Sequence, residues 1–330
     1  MRIAINGFGR IGRTLTRVIQ DRSNIELIAI NDLGSVKNLA HLLKYDSIHG
    51  RFPKPIEVVD EHLVIDGQKI RVLSESDPSK LPWKDLDIDI VIESTGHFRT
   101  TKEAQKHLDA GSKKVIISAP AADLDTKTIV MGINDGDISS DDRILSNASC
   151  TTNSAAPLIH VLEKHWTIEQ AYITTVHSYT SDQRLHDAPH KDWRRGRAGA
   201  QSIVPTTTGA AKAITRIFPH LDEKIGGAGI RVPVPNGSLT DLSCIVKENP
   251  TIEEINEAFQ HEAYHELMGI LEYTEDPIVS IDIIGNTHSC VFDSQLTSVL
   301  GKMVKVVGWY DNEMGYCNRI VDMIDRLDTM

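Results

Sequence analysis

Cys150 lies in residues 146–153, a stretch of small and hydroxyl-bearing side chains, and an apolar run that starts at Ala155 follows it. This composition predicts a loop that enters a helix, with the thiol at the helix N-terminus. The positive end of a helix dipole favours thiolate over thiol, and the thiolate is the nucleophilic form of cysteine. The alternative interpretation is a small buried cysteine in an Ala/Ser/Thr packing contact.

His177 stands near the end of a β-rich run, residues 171–180, downstream of this cysteine. A helix followed by an adjacent strand can bring Cys150 and His177 together. An imidazole within hydrogen-bond reach holds the thiol as thiolate and then accepts a proton. A single histidine is more often structural, but beside a candidate nucleophile it predicts a nucleophile–base pair.

A glycine-rich loop stands between a predicted strand and a predicted helix near the start of the chain. It reads Gly7, Phe8, Gly9, Arg10, Ile11, Gly12. In this position the first glycine makes a tight turn, the second lets a pyrophosphate approach the backbone, and the third allows close helix–strand packing. The helix N-terminus would hold the pyrophosphate. The loop therefore predicts dinucleotide binding.

Asp32 ends the next apolar run, at the distance expected of a ribose-binding acid. A carboxylate there accepts both ribose hydroxyls and repels a 2′-phosphate, which favours NAD over NADP; the alternative is a turn or N-cap aspartate. Thr95, Gly96 and Ser118 follow later strands of the same β-α-β alternation. At the carboxyl ends of parallel strands they are candidate cofactor contacts or, equally, ordinary strand-end caps.

The length, composition and net charge of the chain limit the class of protein. The chain has 330 residues, 40% of them hydrophobic and 25% charged, with a net charge of −11. This length predicts two domains, and no apolar run approaches the ~18–20 residues of a membrane span. The acidic balance argues against a general nucleic-acid binder. Four cysteines without a Cys-x-x-Cys pair predict a reduced, cytoplasmic protein rather than a disulfide framework.

Six segments resemble the phosphorylating glyceraldehyde-3-phosphate dehydrogenases, in the order that this family has them. They are residues 7–12, 148–153, 174–179, 205–213, 231–233 and 309–316. The resemblance implies an α/β chain in which a Rossmann-type parallel sheet binds the dinucleotide and an α+β catalytic domain has a largely antiparallel sheet. It also implies a discontinuous boundary, with residues 1–149 and 313–330 in the NAD-binding domain and residues 150–312 in the catalytic domain.

The resemblance also implies a mechanism. Cys150 attacks the aldehyde of glyceraldehyde 3-phosphate to form a thiohemiacetal, and His177 removes the hydroxyl proton. Hydride passes to NAD, a thioester remains on Cys150, and inorganic phosphate attacks it to release an acyl phosphate. Splitting oxidation from phosphorylation in this way conserves the acyl energy.

By the same likeness, two groups of residues hold the two phosphates. Thr180 and Arg231 match the site of the substrate's own phosphate. The site of the attacking phosphate is matched by Ser149, Thr151, Arg195, Thr208 and Gly209. The pair Thr208–Gly209 opens a predicted helix over residues 210–218, whose free N–H groups suit an anion.

Other matches concern the cofactor and the subunits. Asn312 corresponds to the residue that approaches the nicotinamide amide. Pro189 matches a proline that NAD-specific relatives place near the adenosine ribose of a neighbouring subunit, which implies a homotetramer. Ser154 departs from the family, because most relatives carry a second cysteine there, so a disulfide between Cys150 and that position is ruled out.

Residues 261–265 spell H-E-x-x-H, a pattern typical of zinc proteases. No third ligand follows at a known spacing, so a solvated helix face is the favoured interpretation and no metal is predicted. The expected function is NAD-dependent oxidation and phosphorylation of glyceraldehyde 3-phosphate, in glycolysis or gluconeogenesis. Erythrose-4-phosphate dehydrogenase is the enzyme alternative, and an inactive binding or regulatory protein is the alternative of another class.

Overall fold

The computed structural model describes residues 1–330, which form two compact units. The first, called unit 1 below, comprises Met1–Ile129, Asp135–Ala148 and Cys317–Met330. The second, called unit 2, comprises Val130–Asn134 and Ser149–Tyr316. Each unit is built around its own sheet.

Unit 1 alternates strands with three helices. The strands are β1 (Arg2–Asn6), β2 (Glu26–Asn31), β3 (Tyr45–Asp46), β4 (Gly50–Arg51), β5 (Ile56–Val59), β6 (His62–Ile65), β7 (Gln68–Leu73), β8 (Ile90–Glu93), β9 (Lys114–Ile117), β10 (Lys127–Thr128) and β11 (Ile144–Ser146). The helices are α1 (Arg10–Ile19), α2 (Val36–Lys44) and α3 (Thr101–Asp109).

The main sheet of unit 1 has nine strands in the order β10-β11-β9-β8-β1-β2-β7-β6-β5. All pairs from β10 to β7 are parallel, and only β7-β6-β5 form an antiparallel edge. The predicted hairpin signal Asp66-Gly67 is confirmed, because both residues have positive φ, 50° and 85°, between β6 and β7. Positive φ at both turn positions suits a two-residue hairpin turn.

The core of unit 1 is formed largely by the apolar residues of its strands. One buried cluster contains Ala4, Ala29 and Val91 of three neighbouring strands together with Trp83, and a second lies between α3 and β9. Because strands covered on both faces read as continuous apolar runs, these segments were recognisable from the sequence. Three parallel strands, β2, β1 and β8, end side by side in polar residues, at the edge where an open α/β sheet binds ligands.

Unit 2 contains the remaining strands and three helices. The strands are β12 (Ile168–Ser178), β13 (Val204–Thr206), β14 (Ile225–Val232), β15 (Ser238–Val246), β16 (Leu271–Thr274), β17 (Cys290–Asp293), β18 (Ser298–Leu300) and β19 (Met303–Tyr310). The helices are α4 (Cys150–Trp166), α5 (Ala210–Ile217) and α6 (Ile252–Tyr264).

The unit 2 sheet has the order β13-β14-β12-β15-β19-β17-β16, with β18 paired to β19. Its pairs are antiparallel except β12–β14 and β16–β17. Helix α4 is buried from Thr151 to Ile159 and packs against four of these strands and against α5 and α6. Because α4 is covered on several sides, its buried residues are not confined to one apolar stripe and include the polar residues 151–154.

The predicted fold class is confirmed: a mainly parallel sheet forms one unit and a largely antiparallel sheet the other. The last helix, α7 (Met314–Asp328), begins five residues before its predicted start at Arg319. The reason is Asp311, whose Oδ1 accepts the backbone N–H of Glu313 (2.9 Å) and Met314 (2.8 Å) and so caps the first turn. None of the helices has both the length and the apolar character needed to cross a bilayer.

Candidate active site

The glycine-rich loop joins β1 to α1 and is shaped by close backbone packing. A Cβ on Gly7, which has φ 94°, would lie 2.6 Å from the backbone nitrogen of Thr95, and one on Gly12 would collide with the carbonyl oxygen of Gly7. At Gly9 the same position is open. Gly9 is also the N-cap of α1 and supplies no side-chain cap. The loop thus leaves an uncapped helix N-terminus open to an anion, as a pyrophosphate requires.

Asp32 follows β2 and turns its carboxylate back to this loop. Its Oδ2 accepts the N–H of Phe8 and its Oδ1 the N–H of Gly34, both at 2.8 Å. These bonds fix the carboxylate and leave further lone pairs for ribose hydroxyls. The residues present therefore fit a dinucleotide: an open turn for the pyrophosphate and an oriented acid for the ribose.

Thr95, Gly96 and Ser118 lie at the strand ends where they were predicted. Both donors of Thr95, its N–H and its hydroxyl, bond to Oε1 of Glu93. Gly96 has φ 77°, and the N–H of Ser118 donates to the carbonyl of Glu93 at 2.9 Å. Thr95 therefore caps the end of β8 through its two donors. A contact of Thr95, Gly96 or Ser118 with the cofactor stays a prediction.

Cys150 is the first residue of α4, as the sequence predicts. Ser149 is the N-cap, and its hydroxyl accepts the N–H of Thr152 at 3.0 Å. Ala148, just before, has φ 54°, a conformation that turns the chain sharply into the helix. The strained turn and the serine cap place the thiol at the helix N-terminus.

His177, Cys150 and Arg231 meet in unit 2. The Sγ of Cys150 lies 3.4 Å from Nε2 of His177. The other ring nitrogen, Nδ1, lies 2.8 Å from the carbonyl oxygen of Ser178 and also contacts Nη1 of Arg231. His177 and Arg231 are register partners on the parallel strands β12 and β14. The predicted nucleophile and base are therefore neighbours, and a guanidinium lies behind the base.

Burial governs the charges of this pair. Burial raises the pKa of the Cys150 thiol, although the positive charge of Arg231 opposes the shift. Burial, then Arg231, lowers the pKa of His177 to about 3, against the carbonyl of Ser178, which raises it. The helix N-terminus lowers the pKa of the thiol through the backbone N–H groups of Thr151 and Cys150, as the sequence predicts, but burial has the larger effect and the net shift is upward. Both pKa shifts favour the neutral forms, a thiol that faces an imidazole.

Tyr310 is a site residue that sequence reasoning missed. It is buried at the end of β19, and its hydroxyl lies 2.9 Å from Oγ1 of Thr151 and 2.8 Å from Oγ1 of Thr175. Its ring packs edge-on to the ring of His177, with centroids 5.9 Å apart. The sequence contained Tyr310 within a family motif but offered no sign of these partners, of which Thr151 comes from α4 and Thr175 and His177 come from β12.

Asn312 is oriented by two serines. Its Oδ1 accepts the hydroxyls of Ser178 and Ser238, both at 2.9 Å. Ser178 directly follows His177 on β12, so the amide is anchored next to the base.

Arg195 lies on the loop between β12 and β13 and is held by that loop. Its Nη1 pairs with Asp182, and its Nε donates to Oγ1 of Thr206 at 2.9 Å. The charge of Arg195 contributes to the lowered pKa of His177. Asp182 is thus a partner of a predicted phosphate-binding residue, a pairing that the sequence alone did not reveal.

The remaining predicted phosphate residues are also engaged within unit 2. Helix α5 begins after Gly209, which supplies no side-chain cap, and Oγ1 of Thr208 accepts the N–H of Ala210 at 3.2 Å. Thr180 follows β12, and its N–H bonds to Oε1 of Gln183 at 3.3 Å. The uncapped start of α5 is a feature that suits an anion.

The H-E-x-x-H segment lies at the end of α6 and is organised around Glu262. That carboxylate is buried and pairs with Lys164 at 2.7 Å and with His165 at 3.2 Å. The rings of His261 and His265 stack on each other at 4.2 Å. No group of three or more His, Cys, Asp or Glu side chains is arranged to hold a metal ion. The carboxylate of Glu262 thus forms an ion pair with Lys164.

Comparison with known proteins identifies related chains along the whole length. The family model described as the glyceraldehyde 3-phosphate dehydrogenase NAD binding domain matches residues 1–101, and the model of the C-terminal domain matches residues 149–312. A glyceraldehyde-3-phosphate dehydrogenase of Thermotoga maritima is 54% identical over 329 residues, 99% of this chain and 98% of that one. A Geobacillus stearothermophilus enzyme of the same name is 51% identical over 325 residues, 98% of this chain and 97% of that one.

The fold, the cysteine–histidine pair and these matches define the class of protein: an NAD-dependent oxidoreductase that acts on an aldehyde. Within that class, the chain belongs to the glyceraldehyde-3-phosphate dehydrogenase family. The predicted cofactor, NAD, is confirmed with it.

Proposed function

We propose that this enzyme oxidises D-glyceraldehyde 3-phosphate with NAD and inorganic phosphate to 1,3-bisphosphoglycerate. The observation that carries the proposal is the contact of Cys150 Sγ with His177 Nε2 at 3.4 Å, backed by the guanidinium of Arg231. The relatives carry the name of this activity. We place the reaction in glycolysis or gluconeogenesis.

The first half of the reaction belongs to Cys150 and His177. In the tautomer that this role needs, Nδ1–H of His177 donates to the carbonyl of Ser178 and the lone pair of Nε2 faces the thiol. The guanidinium of Arg231 then bonds to that carbonyl, which its Nη1 already reaches at 3.0 Å, rather than to Nδ1. Nε2 takes the thiol proton as sulfur attacks the aldehyde carbon, and the imidazolium returns this proton to the aldehyde oxygen, which gives the thiohemiacetal. Nε2 removes the hydroxyl proton again as the hydride leaves, and the backbone N–H of Cys150 stabilises the developing oxyanion. Bound NAD supplies the hydride acceptor.

The second half is attack of phosphate on a thioester at Cys150. We assign Arg231 and Thr180 to the phosphate of the substrate, because a guanidinium adjoining the base keeps the aldehyde end near the thiol. We assign the attacking phosphate to Arg195 and the uncapped start of α5. The residues proposed for this second anion are Ser149, Thr151, Arg195, Thr208 and Gly209.

The groups proposed to bind anions have partners within unit 2. The hydroxyl of Ser149 caps α4 as an acceptor, so it can still donate to a phosphate oxygen. The hydroxyl of Thr151 bonds to Tyr310, and Arg195 pairs with Asp182. A phosphate oxygen would therefore compete with Asp182 for Arg195.

We propose that NAD is held by the turn from Gly7 to Gly12, with Arg10 and Ile11 at the helix N-terminus and Asp32 on the ribose. Thr95, Gly96, Ser118 and Asn312 are proposed as further contacts. On this proposal residues 1–149 and 313–330 form the NAD-binding domain, and residues 150–312 form the catalytic domain.

We further propose that the enzyme is a homotetramer of the cytoplasm. The loop between β12 and β13 supports this, since Leu185 is 74% exposed, Trp193 89% and Ile203 69%. Large apolar side chains exposed on one segment are typical of a surface that a partner covers. Pro189 lies on the same loop.

Steady-state kinetics test the substrate. We expect kcat/KM for glyceraldehyde 3-phosphate to exceed that for erythrose 4-phosphate, and a strong preference for the four-carbon sugar would instead assign the alternative. A Cys150→Ser variant tests the mechanism: it should form no acyl-enzyme and should lose aldehyde-dependent NADH formation. Equal rates for variant and wild type would contradict a cysteine mechanism.

A further inference from the structure

A buried polar row lies beneath the proposed nucleotide site. It consists of Asn31, Asn6 and Glu93, the last residues of the neighbouring parallel strands β2, β1 and β8. Asn6 is the register partner of both others. All three side chains are at most 4% exposed. We call these residues the strand-end row.

Hydrogen bonds within the strand-end row run from Asn31 through Asn6 to Glu93. Nδ2 of Asn31 donates to Oδ1 of Asn6 at 2.7 Å, and Nδ2 of Asn6 donates to Oε2 of Glu93 at 2.6 Å. From the other side, Nε1 of Trp83 donates to Nδ1 of His107 at 3.0 Å. An indole is only a donor, so Nδ1 accepts and the proton of this imidazole sits on Nε2. That Nε2 lies 3.1 Å from Oε2 of Glu93.

Glu93 is thus the common acceptor of the network. Oε2 receives Asn6 and His107, while Oε1 receives the N–H and the hydroxyl of Thr95. Four donors directed at one carboxyl group describe the ionised form, because a protonated oxygen would face another donor. A buried carboxylate is tolerated only when its lone pairs are satisfied in this way.

Each member of the strand-end row precedes a segment proposed to touch NAD. Asn6 precedes Gly7, Asn31 precedes Asp32, and Glu93 precedes the turn that contains Thr95. The hydroxyl of Ser94 also donates to the carbonyl of Gly7 at 2.7 Å. One carboxylate therefore connects the three turns that meet at the carboxyl edge of the sheet.

We propose that Glu93 is the positioning residue of the nucleotide site: its carboxylate holds the ends of β1 and β8 in the geometry that accepts the pyrophosphate–nicotinamide half of NAD. The inference rests on the proposed nucleotide site. The adenosine half, assigned to Asp32 beyond β2, depends less on Glu93, because the N–H of Gly34 in its own turn also fixes Asp32, in addition to the N–H of Phe8.

Glu93→Gln tests this, because the amide keeps the shape and turns an acceptor into a donor. The new N–H₂ faces Nδ2 of Asn6 or Nε2–H of His107, and one strand end must move. Binding of NAD and of AMP is measured by calorimetry without aldehyde. We expect the Kd of NAD to rise about tenfold or more and that of AMP to change by less than about twofold, since bonds to charged groups contribute most.

A matched control is Glu262→Gln in unit 2, because Glu262 is also 1% exposed and charge-paired. It should lower the melting temperature while leaving both affinities unchanged. An unchanged Kd of NAD in Glu93→Gln, or equal weakening of NAD and AMP, overturns the positioning role. If Glu93→Gln does not fold, His107→Leu decides: removing one donor to Oε2, at a residue that is not proposed to touch NAD, should weaken NAD but not AMP, and any other result overturns the inference.

Asp32→Ala separates this inference from the proposed site. It should weaken NAD and AMP alike, because both carry the adenosine ribose. Unchanged affinities in Asp32→Ala would contradict the proposed nucleotide site itself, whereas a normal loss there with no effect of Glu93→Gln would contradict only the role of Glu93.

Discussion

The nucleotide turn of unit 1 and the thiol site of unit 2 position their polar groups differently. In unit 1 the buried carboxylate of Glu93 accepts hydrogen bonds beneath the turn, and Gly9 has no side chain. In unit 2 the side chains that we propose to bind anions have partners within the unit, such as Asp182 for Arg195. The first site is organised around its backbone and the second around paired side chains.

The difference follows from what each site binds. A dinucleotide is recognised largely through backbone N–H groups, which the fold holds in place without side-chain partners. Charged side chains such as Arg195, which we propose to bind phosphate, need partners within the protein, because an unpaired charge with little exposure to solvent costs free energy. Substitutions that affect one site and not the other test this difference.

The largest effect is expected from His177→Asn. Loss of the general base should lower kcat by about 10²–10⁴-fold, while NAD affinity, which we assign mainly to the turn from Gly7 to Gly12 and to Asp32, stays unchanged. Single-turnover NADH formation and NAD calorimetry measure the two quantities. A kcat within about tenfold of wild type would remove His177 from the base role.

Acid unfolding should reveal the contribution of His177 to stability. The pKa of His177 is about 3 in the folded chain and near 6.5 when unfolded, so the unfolded state binds one more proton between these values. Stability from this group is present above pH 6.5 and is lost as the pH falls toward 3, by up to about 5 kcal/mol. Denaturant melts of wild type and His177→Asn should diverge in slope over this window. Parallel curves would contradict the buried neutral imidazole.

A smaller effect is expected from Tyr310→Phe. The hydroxyls of Thr151 and Thr175 lose a shared buried partner, so unfolding free energy should fall by about 1–3 kcal/mol, and kcat should fall with it because Thr151 is proposed to bind phosphate. Tyr273→Phe is the control, since its hydroxyl bonds only at 3.4 Å to an exposed glutamate. Equal effects of the two variants would mean that the Tyr310 hydroxyl has no special role.

The smallest effect is expected from Asp182→Asn. Without the carboxylate, Arg195 is released to an incoming anion, and the KM for inorganic phosphate should fall about two- to fivefold, the range of a partly exposed ion pair. Asp187→Asn, which breaks the exposed pair with Arg197 on the same loop, should leave this KM unchanged. A rise in KM would show that Asp182 orients Arg195 instead of competing for it.

Local chemistry explains what could be predicted. Strand residues such as Ala4 and Val91 are apolar because the parallel sheet is covered on both faces. Gly7 and Gly12 stand where a Cβ would clash, and Ser149 stands where a helix needs a cap. Each of these features depends on residues that are neighbours in the chain. They were therefore enough to predict the two-unit α/β class, the nucleotide turn and the position of Cys150 at the start of a helix.

By itself, the sequence determined which residues can react or bind: Cys150 at a helix start, His177 near a strand end, and Asp32 after a buried strand. Tertiary structure alone decided their partners and charges. It packed Tyr310 against His177 and paired Asp182 with Arg195. It also placed the ends of three strands side by side, at Asn31, Asn6 and Glu93. It also made the thiol and imidazole neutral, because desolvation depends on everything packed around a group, including segments far apart in the chain.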